Sequence, residues 1–233
     1  MIFHFKSFII KQEKSAMKVG TDGVLLGAWT KTSSNPHQIL DVGTGTGLVA
    51  IMLAQRFKRS QIHAIDIDQA SAEEAQFNAQ SSPWSKRLNI THCALQDYNP
   101  SNKYNLIVSN PPYFRNTTLS NNKSRALARN NISLSLEYLI ERSFDLLNEN
   151  GELALIVPSN EFETIQSLAV KFNFYISKLC WVKGNNQSPI KRLLTVLSKK
   201  EKILEEKNFT IEDSRHNYTE EYKNLCQDFY LRL

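Results

Sequence analysis

Short apolar runs alternate along this chain with stretches in which apolar residues recur every three or four positions. Residues 38–42, 62–65, 88–93, 106–108, 153–157, 175–183 and 193–198 read as strands, most of them carrying the unbroken Ile, Val and Leu of buried ones. Residues 48–56, 69–80, 136–147 and 161–172 carry helical spacing. Asp68 is placed to cap the second of these helices, and Asn150-Gly151 follows the third as a stop signal. Strands separated by single helices predict an α/β fold, a doubly wound, mainly parallel sheet of seven strands covered on both faces. The last two strands are joined only by the Gly184-Asn185-Asn186 turn region, so they are expected to form an antiparallel pair at one edge.

The chain before residue 37 is mixed: an aromatic opening, then a polar block around Gly20-Thr21-Asp22-Gly23, then a short apolar stretch closed by Ser33-Ser34-Asn35-Pro36. Residues 199–207 carry mixed charge and read as a solvated helix or linker. Beyond them Tyr222, Leu225, Cys226, Phe229, Tyr230 and Leu233 recur at helical spacing, as in a terminal helix packed on the core. One domain over 1–233 is expected, with an N-terminal segment at 1–36, a core at 37–200 and an extension at 201–233.

Apolar residues make up 41% of the 233, enough for an ordinary core. The net charge of +5 and a pI near 9.0 permit nucleic-acid contact without demonstrating it. Cys93, Cys180 and Cys226 lie far apart and form no C-x-x-C pair, which argues against zinc or a disulfide framework and suits a reducing compartment. His4, His37, His63, His92 and His216 show no ligand spacing, so no metal is expected. His4 and Lys6 break the apolar opening, which disfavours a secretory signal, and no run approaches a membrane span. A cytoplasmic monomer is the expectation.

The most informative residues are Asn110-Pro111-Pro112-Tyr113, directly after the apolar run 106–108. A planar exocyclic amine is a poor nucleophile, because its lone pair is delocalised into the ring. The Asn110 side-chain oxygen and the Pro111 carbonyl could accept its two N–H groups, localising the lone pair toward an electrophilic carbon, while Tyr113 stacks on the base. Such a site works by positioning and charge stabilisation. The bland alternative is a strand-ending turn.

A second constellation lies upstream. Asp41-Val42-Gly43-Thr44-Gly45-Thr46-Gly47 joins a strand to a helix, and its glycines allow a ligand to approach the backbone closely. A dinucleotide fingerprint would place its third glycine one residue later, where Leu48 stands. Asp41 is awkward beside a diphosphate and suits an ammonium group. Asp66, about 19 residues after Gly47, ends the next strand and can accept hydrogen bonds from two ribose hydroxyls. An ammonium, a ribose and no phosphate describe S-adenosylmethionine. Asp41, Asp66 and Asn110 all stand at carboxyl ends of strands, where ligands of such sheets bind.

These residues resemble the class I S-adenosylmethionine-dependent methyltransferases, and within them the amino-methyltransferases bearing Asn-Pro-Pro-Tyr. Phe3-His4-Phe5-Lys6-Ser7-Phe8, the block from Ala16 to Trp29, Ser82-Pro83-Trp84 and the endings His216-Asn217-Tyr218-Thr219-Glu220 and Phe229-Tyr230-Leu231 narrow the likeness, which runs nearly end to end. They resemble the bacterial tRNA1(Val) adenine-37 N6-methyltransferase family. The resemblance implies a Rossmann-like fold, a tRNA substrate modified just 3′ of the anticodon, and closure of Gly20 and Thr21 over the cofactor. Ile67, Leu95 and Asn110 join Asp41, Gly43, Gly45, Gly47 and Asp66 as expected cofactor contacts. Where the family often carries an acid after its third strand, this chain has Ala94-Leu95, with Asp97 as a possible substitute.

The polar segment after the tetrapeptide carries Lys123, Arg125 and Arg129, candidate phosphate contacts that would position RNA without reading its sequence. Lys191-Arg192 is a further candidate, and Lys18 could serve cofactor, RNA or solvent. Three other readings stay open: a protein glutamine-N5 methyltransferase, a catalytically silent S-adenosylmethionine- or RNA-binding module, and a nicotinamide dehydrogenase, which Leu48 and Asp41 disfavour.

Overall fold

The predicted core strands and helices are present, arranged so that the sequence turns back on itself beside its first core strand; the terminal helix is shorter than its apolar spacing predicts, ending at Cys226 with Phe229 and Tyr230 beyond it. A computed structural model describes residues 1–32, 35–112 and 134–232 of the protein. A hairpin of β1 (Ile2–His4) and β2 (Ile9–Lys11) opens the chain and leads to α1 (Thr21–Trp29). Then follow β3 (Gln38–Val42), α2 (Leu48–Arg56), β4 (Gln61–Asp66), α3 (Gln69–Gln80), β5 (Leu88–His92) and β6 (Tyr104–Ser109). After residue 133 come α4 (Leu136–Leu146), β7 (Leu147–Pro158), α5 (Phe162–Lys171), β8 (Tyr175–Asn185) and β9 (Ile190–Ser198). The chain closes with β10 (Glu205–Ser214), β11 (Asn217–Tyr218) and α6 (Glu220–Cys226).

The main sheet runs β11-β10-β8-β9-β7-β6-β3-β4-β5. Strands β3 to β7 are mutually parallel, and β9 runs antiparallel to both β7 and β8. From β3 the chain proceeds outward through β4 and β5, then returns to place β6 on the opposite side of β3. That reversal is the switch point at which open α/β sheets leave a crevice.

Successive residues of the central strands alternate between two apolar layers, as the pleat requires. Ile39, Leu106, Val108 and Ile156 pack with α1, α2, the N-terminal hairpin and α6, whereas Leu40, Ile107, Leu155 and Val157 pack with α4 and α5. The hairpin joins the first layer through stacked Phe5 and Phe8, whose ring centroids lie 4.6 Å apart, and Phe5 also stacks on Tyr230. Helix α1 lies close on α2 because Gly27 has no side chain; a Cβ there would come within 2.8 Å of the Met52 sulfur. Arg56 on α2 donates to the Gly27 and Thr30 carbonyls at 2.7 and 2.6 Å, satisfying the carboxyl end of α1.

The sheet is wider than the seven strands predicted. Among the described residues it has nine, and the β8–β9 pair is antiparallel as expected but not at the edge. Residues 205–207, read as part of a solvated helix or linker, begin β10, which pairs in parallel with β8 and covers backbone groups that would otherwise form an open edge. Within β10 only Phe209 is buried, so the period-2 signal is too weak to read. Helix α4 ends one residue early, at Leu146. Asn150-Gly151 lies inside β7 where its register with β6 shifts, so the expected stop signal marks a bulge instead.

Candidate active site

The loop after β3 is shaped by three left-handed glycines, with φ of 71° at Gly43, 56° at Gly45 and 81° at Gly47. The Gly43 and Thr44 amides donate to the Ile65 carbonyl at 2.9 and 3.0 Å, which fastens the loop to the end of β4. A Cβ on Gly43 or Gly45 would meet nothing within 4 Å. These two glycines face a cavity of about 530 Å³, within the ~300–1,000 Å³ usual for small-molecule sites. Gly47 plays another part: it sits at the start of α2, where a Cβ would stand 3.3 Å from Ala75, and it does not line the cavity.

Asp41 and Asp66 flank this loop. Asp66 accepts the Gly45 amide on Oδ2 at 2.8 Å and the Asp68 amide on Oδ1 at 2.9 Å. Each oxygen retains a second lone pair, which suits two ribose hydroxyls. Asp41 is buried, and its Oδ2 accepts both the Thr44 hydroxyl at 2.7 Å and the Ala50 amide in the first turn of α2 at 3.1 Å. No hydrogen bond falls on Oδ1 among the described residues. Burial pushes the Asp41 carboxyl up to about 7, against the pull of Thr44 and Ala50, and the neighbouring Asp66 charge adds to the rise. A cation placed in the cavity would reverse that shift.

The tip of β6 completes the cavity. Val42 and Ser109 are register partners at the ends of β3 and β6, and the buried Ser109 hydroxyl donates to the Val42 carbonyl at 2.8 Å. Asn110 therefore leaves the sheet directly beside the glycine loop. Asn110 and Pro112 line the cavity together with Asp41, Gly43, Gly45, Asp66, Ile67 and Leu95, while Pro111 between them is buried and is not among the lining residues. Tyr113, Lys123, Arg125 and Arg129 lie outside the described residues.

Gly20 and Thr21 also line the cavity, with Ala16, Met17 and Lys18. The Lys18 ammonium is turned onto its own loop, donating to the carbonyls of Gln12 at 2.8 Å, Ser15 at 3.1 Å and Glu13 at 3.4 Å. Arg192 also lines the cavity, and its Nε donates to Asp22 of α1 at 2.8 Å; Lys191 is exposed. Sequence reasoning missed Met17, Thr44, Cys93, Gln96 and Leu134 as lining residues. Thr44 was legible, since it stands inside the glycine loop, whereas no local signal marks the others. In the stretch after β5, Gln96 lines the cavity and Asp97 does not. Burial and the Asp97 charge raise the Cys93 thiol above its ordinary pKa, which keeps it neutral.

The strand ends thus present carboxylates to the cavity, the glycines leave room against the loop, and Lys18 is already occupied by carbonyls. That donor set fits an S-adenosylmethionine, with its ammonium and ribose, and disfavours a dinucleotide diphosphate. Among the described residues no group of His, Cys, Asp and Glu is arranged for a metal, and no helix is long and apolar enough to cross a membrane.

Comparison with known proteins bears on the same site. The Methyltransferase small domain family matches residues 19–178. A tRNA1(Val) (adenine(37)-N6)-methyltransferase of Flavobacterium psychrophilum is 46% identical over 100% of both chains. A protein of the same name from Bacteroides thetaiotaomicron is 40% identical over 99% of this chain and 98% of its own. Among solved structures, a predicted O-methyltransferase of Agrobacterium tumefaciens superposes with a TM-score of 0.68 at 16% identity, covering 89% of this chain and 96% of that one. A T. thermophilus 16S rRNA N2 G1207 methyltransferase, solved with AdoMet and guanosine, gives 0.58 at 16% identity, over 83% and 47%. The two structures establish the fold alone, the mainly parallel α/β sheet that this chain shares with them. Identity of 40 to 46% running the length of both chains establishes more: the chain belongs to the tRNA1(Val) (adenine(37)-N6)-methyltransferase family.

Proposed function

We propose that this enzyme transfers the methyl group of S-adenosylmethionine to N6 of adenosine 37, beside the anticodon of a tRNA1(Val). The observation that carries the reading is the single cavity shared by the carboxylates at the ends of β3 and β4 and the Asn110–Pro112 tip of β6. When bound, the cofactor supplies an electrophilic methyl group on a sulfonium. Asp41 would hold its ammonium and Asp66 its ribose, with Ile67 and Leu95 supplying apolar contact and Gly20 and Thr21 a further part of the wall.

On the substrate side, the Asn110 side-chain oxygen and the Pro111 carbonyl accept the two N–H groups of the adenine amine. That restores nucleophilic character to the nitrogen and needs no general base, because the proton shed after transfer leaves a far more acidic ammonium. An anticodon-loop base loses less stacking than a duplex base on entering such a pocket. Sequence alone supports Tyr113 as the stacking ring and Lys123, Arg125 and Arg129 as phosphate contacts. A tRNA substrate supports a cytoplasmic location for the reaction.

Protein glutamine transfer and a silent binding module lose support, because the full-length relatives carry the tRNA adenine name. Incubation with isotopically labelled cofactor and either bulk tRNA or protein extract separates the readings. Label in tRNA, recovered as N6-methyladenosine, is the expected outcome; label in protein would overturn it.

A further inference from the structure

The loop between β2 and α1 is held by two side chains of opposite charge, one acting on its amides and the other on its carbonyls. Glu74, a buried residue of α3, accepts the amides of Glu13, Lys14 and Ser15 at 2.5, 2.9 and 2.9 Å. The Lys18 ammonium collects the carbonyls of Gln12, Glu13 and Ser15. The Gln12 side chain adds a cross-tie, its Oε1 accepting the Val19 amide at 2.6 Å. Burial pushes the Glu74 carboxyl up, but the amides of Lys14, Ser15 and Glu13 outweigh it, so the group stays charged.

The same face of α3 reaches the glycine loop. Buried Asn78 pairs with the backbone of Lys11, accepting its amide at 2.9 Å and donating to its carbonyl at 2.8 Å, and also donates to the Thr46 carbonyl at 2.9 Å. One helix thereby holds both the segment 11–15, which leads into the wall at 16–21, and the glycine loop. Neither Glu74 nor Asn78 lines the cavity.

We propose that Glu74 and Lys18 are positioning residues that pre-build the outer wall of the cofactor site, so that the cofactor meets a wall already in place and the ordering cost falls on folding. The proposal rests on the S-adenosylmethionine reading of the cavity and deepens it. A carboxylate is needed at Glu74 because three converging N–H donors require an acceptor without hydrogens of its own; an amide would turn an NH2 toward at least one of them. An ammonium is needed at Lys18 for the complementary reason.

The test uses the full chain, with cofactor affinity by calorimetry and amide exchange at 13–15 in the cofactor-free protein. In Glu74→Gln, exchange at these amides is expected to accelerate at least tenfold and the Kd for S-adenosylmethionine to rise about tenfold. The turnover at saturating cofactor should stay within about twofold and the KM for tRNA should be unchanged. Lys18→Met, whose side chain lies at the surface, should reproduce the rise in Kd, and Lys18→Arg should restore most of the affinity; this pair decides the matter if Glu74→Gln fails to fold. Faster exchange with an unchanged Kd, or a failure of Lys18→Met to weaken binding, overturns the proposal. A wild-type protein that does not bind S-adenosylmethionine overturns the cofactor reading itself, and is recognised before any variant is made.

Discussion

The Ser109 hydroxyl donates to the carbonyl of Val42 at 2.8 Å, tying together the two strand tips that hold the cofactor side and the substrate side of one cavity. The bond lies at the switch point, where β6 and β3 are neighbours in space but 67 positions apart in sequence. Replacing Ser109 by Ala removes it without changing the apolar packing. The expected cost is about 1 kcal/mol of stability, measured by denaturant unfolding, with turnover falling more than cofactor affinity because Asn110 moves while Asp41 and Asp66 do not.

Asn110→Ala should leave cofactor affinity within about threefold and lower kcat/KM by about 10²–10³, the loss typical of deleting one charge-stabilising polar contact. Steady-state kinetics beside calorimetry measures both. Equal losses in binding and catalysis would contradict the role given to Asn110.

The loop glycines separate two requirements. Gly45→Ala forces a side chain into φ of 56° and places a Cβ at the cavity surface. It should cost about 1–2 kcal/mol of stability and also weaken cofactor binding at least tenfold. Gly47→Ala meets the same backbone strain, at φ of 81°, but crowds Ala75 outside the cavity. Its effect should fall on thermal stability, with a smaller change in the cofactor Kd.

Asp41 gives the site a pH dependence. Its carboxyl is raised by burial from 3.8 to about 7, so its contribution to stability is fully present below about 4 and is lost as pH rises through about 7. A cofactor ammonium favours the charged carboxylate. Binding near pH 6 should therefore release a proton, and affinity should rise with pH up to about 7. Calorimetry in buffers of different ionisation enthalpy measures the release, and Asp41→Asn should abolish it.

The site was largely legible because its chemistry is local in sequence. Asp41 and Asp66 stand at the carboxyl ends of β3 and β4, the glycine loop follows β3 and Asn110 follows β6, so strand ends alone bring them to one rim. What could not be read depends on long-range partners. Strand β10 buries only Phe209 and is held by pairing with β8, and the β1–β2 hairpin is anchored by rings at Phe5, Phe8 and Tyr230. Glu74 looks like any acid on a solvated helix face until Glu13, Lys14 and Ser15 arrive from sixty residues upstream. Lys18, a candidate for cofactor or RNA in the sequence, is spent on backbone carbonyls.

The most direct test of the shared cavity follows a labelled methyl group into tRNA and identifies the product nucleoside by mass spectrometry, for the wild-type protein and for Asn110→Ala loaded with the same cofactor. Labelled N6-methyladenosine from the wild type, and a loss of at least 10²-fold from a variant that still binds cofactor, is the predicted result. Label in any other nucleoside, or undiminished transfer by Asn110→Ala, would contradict it.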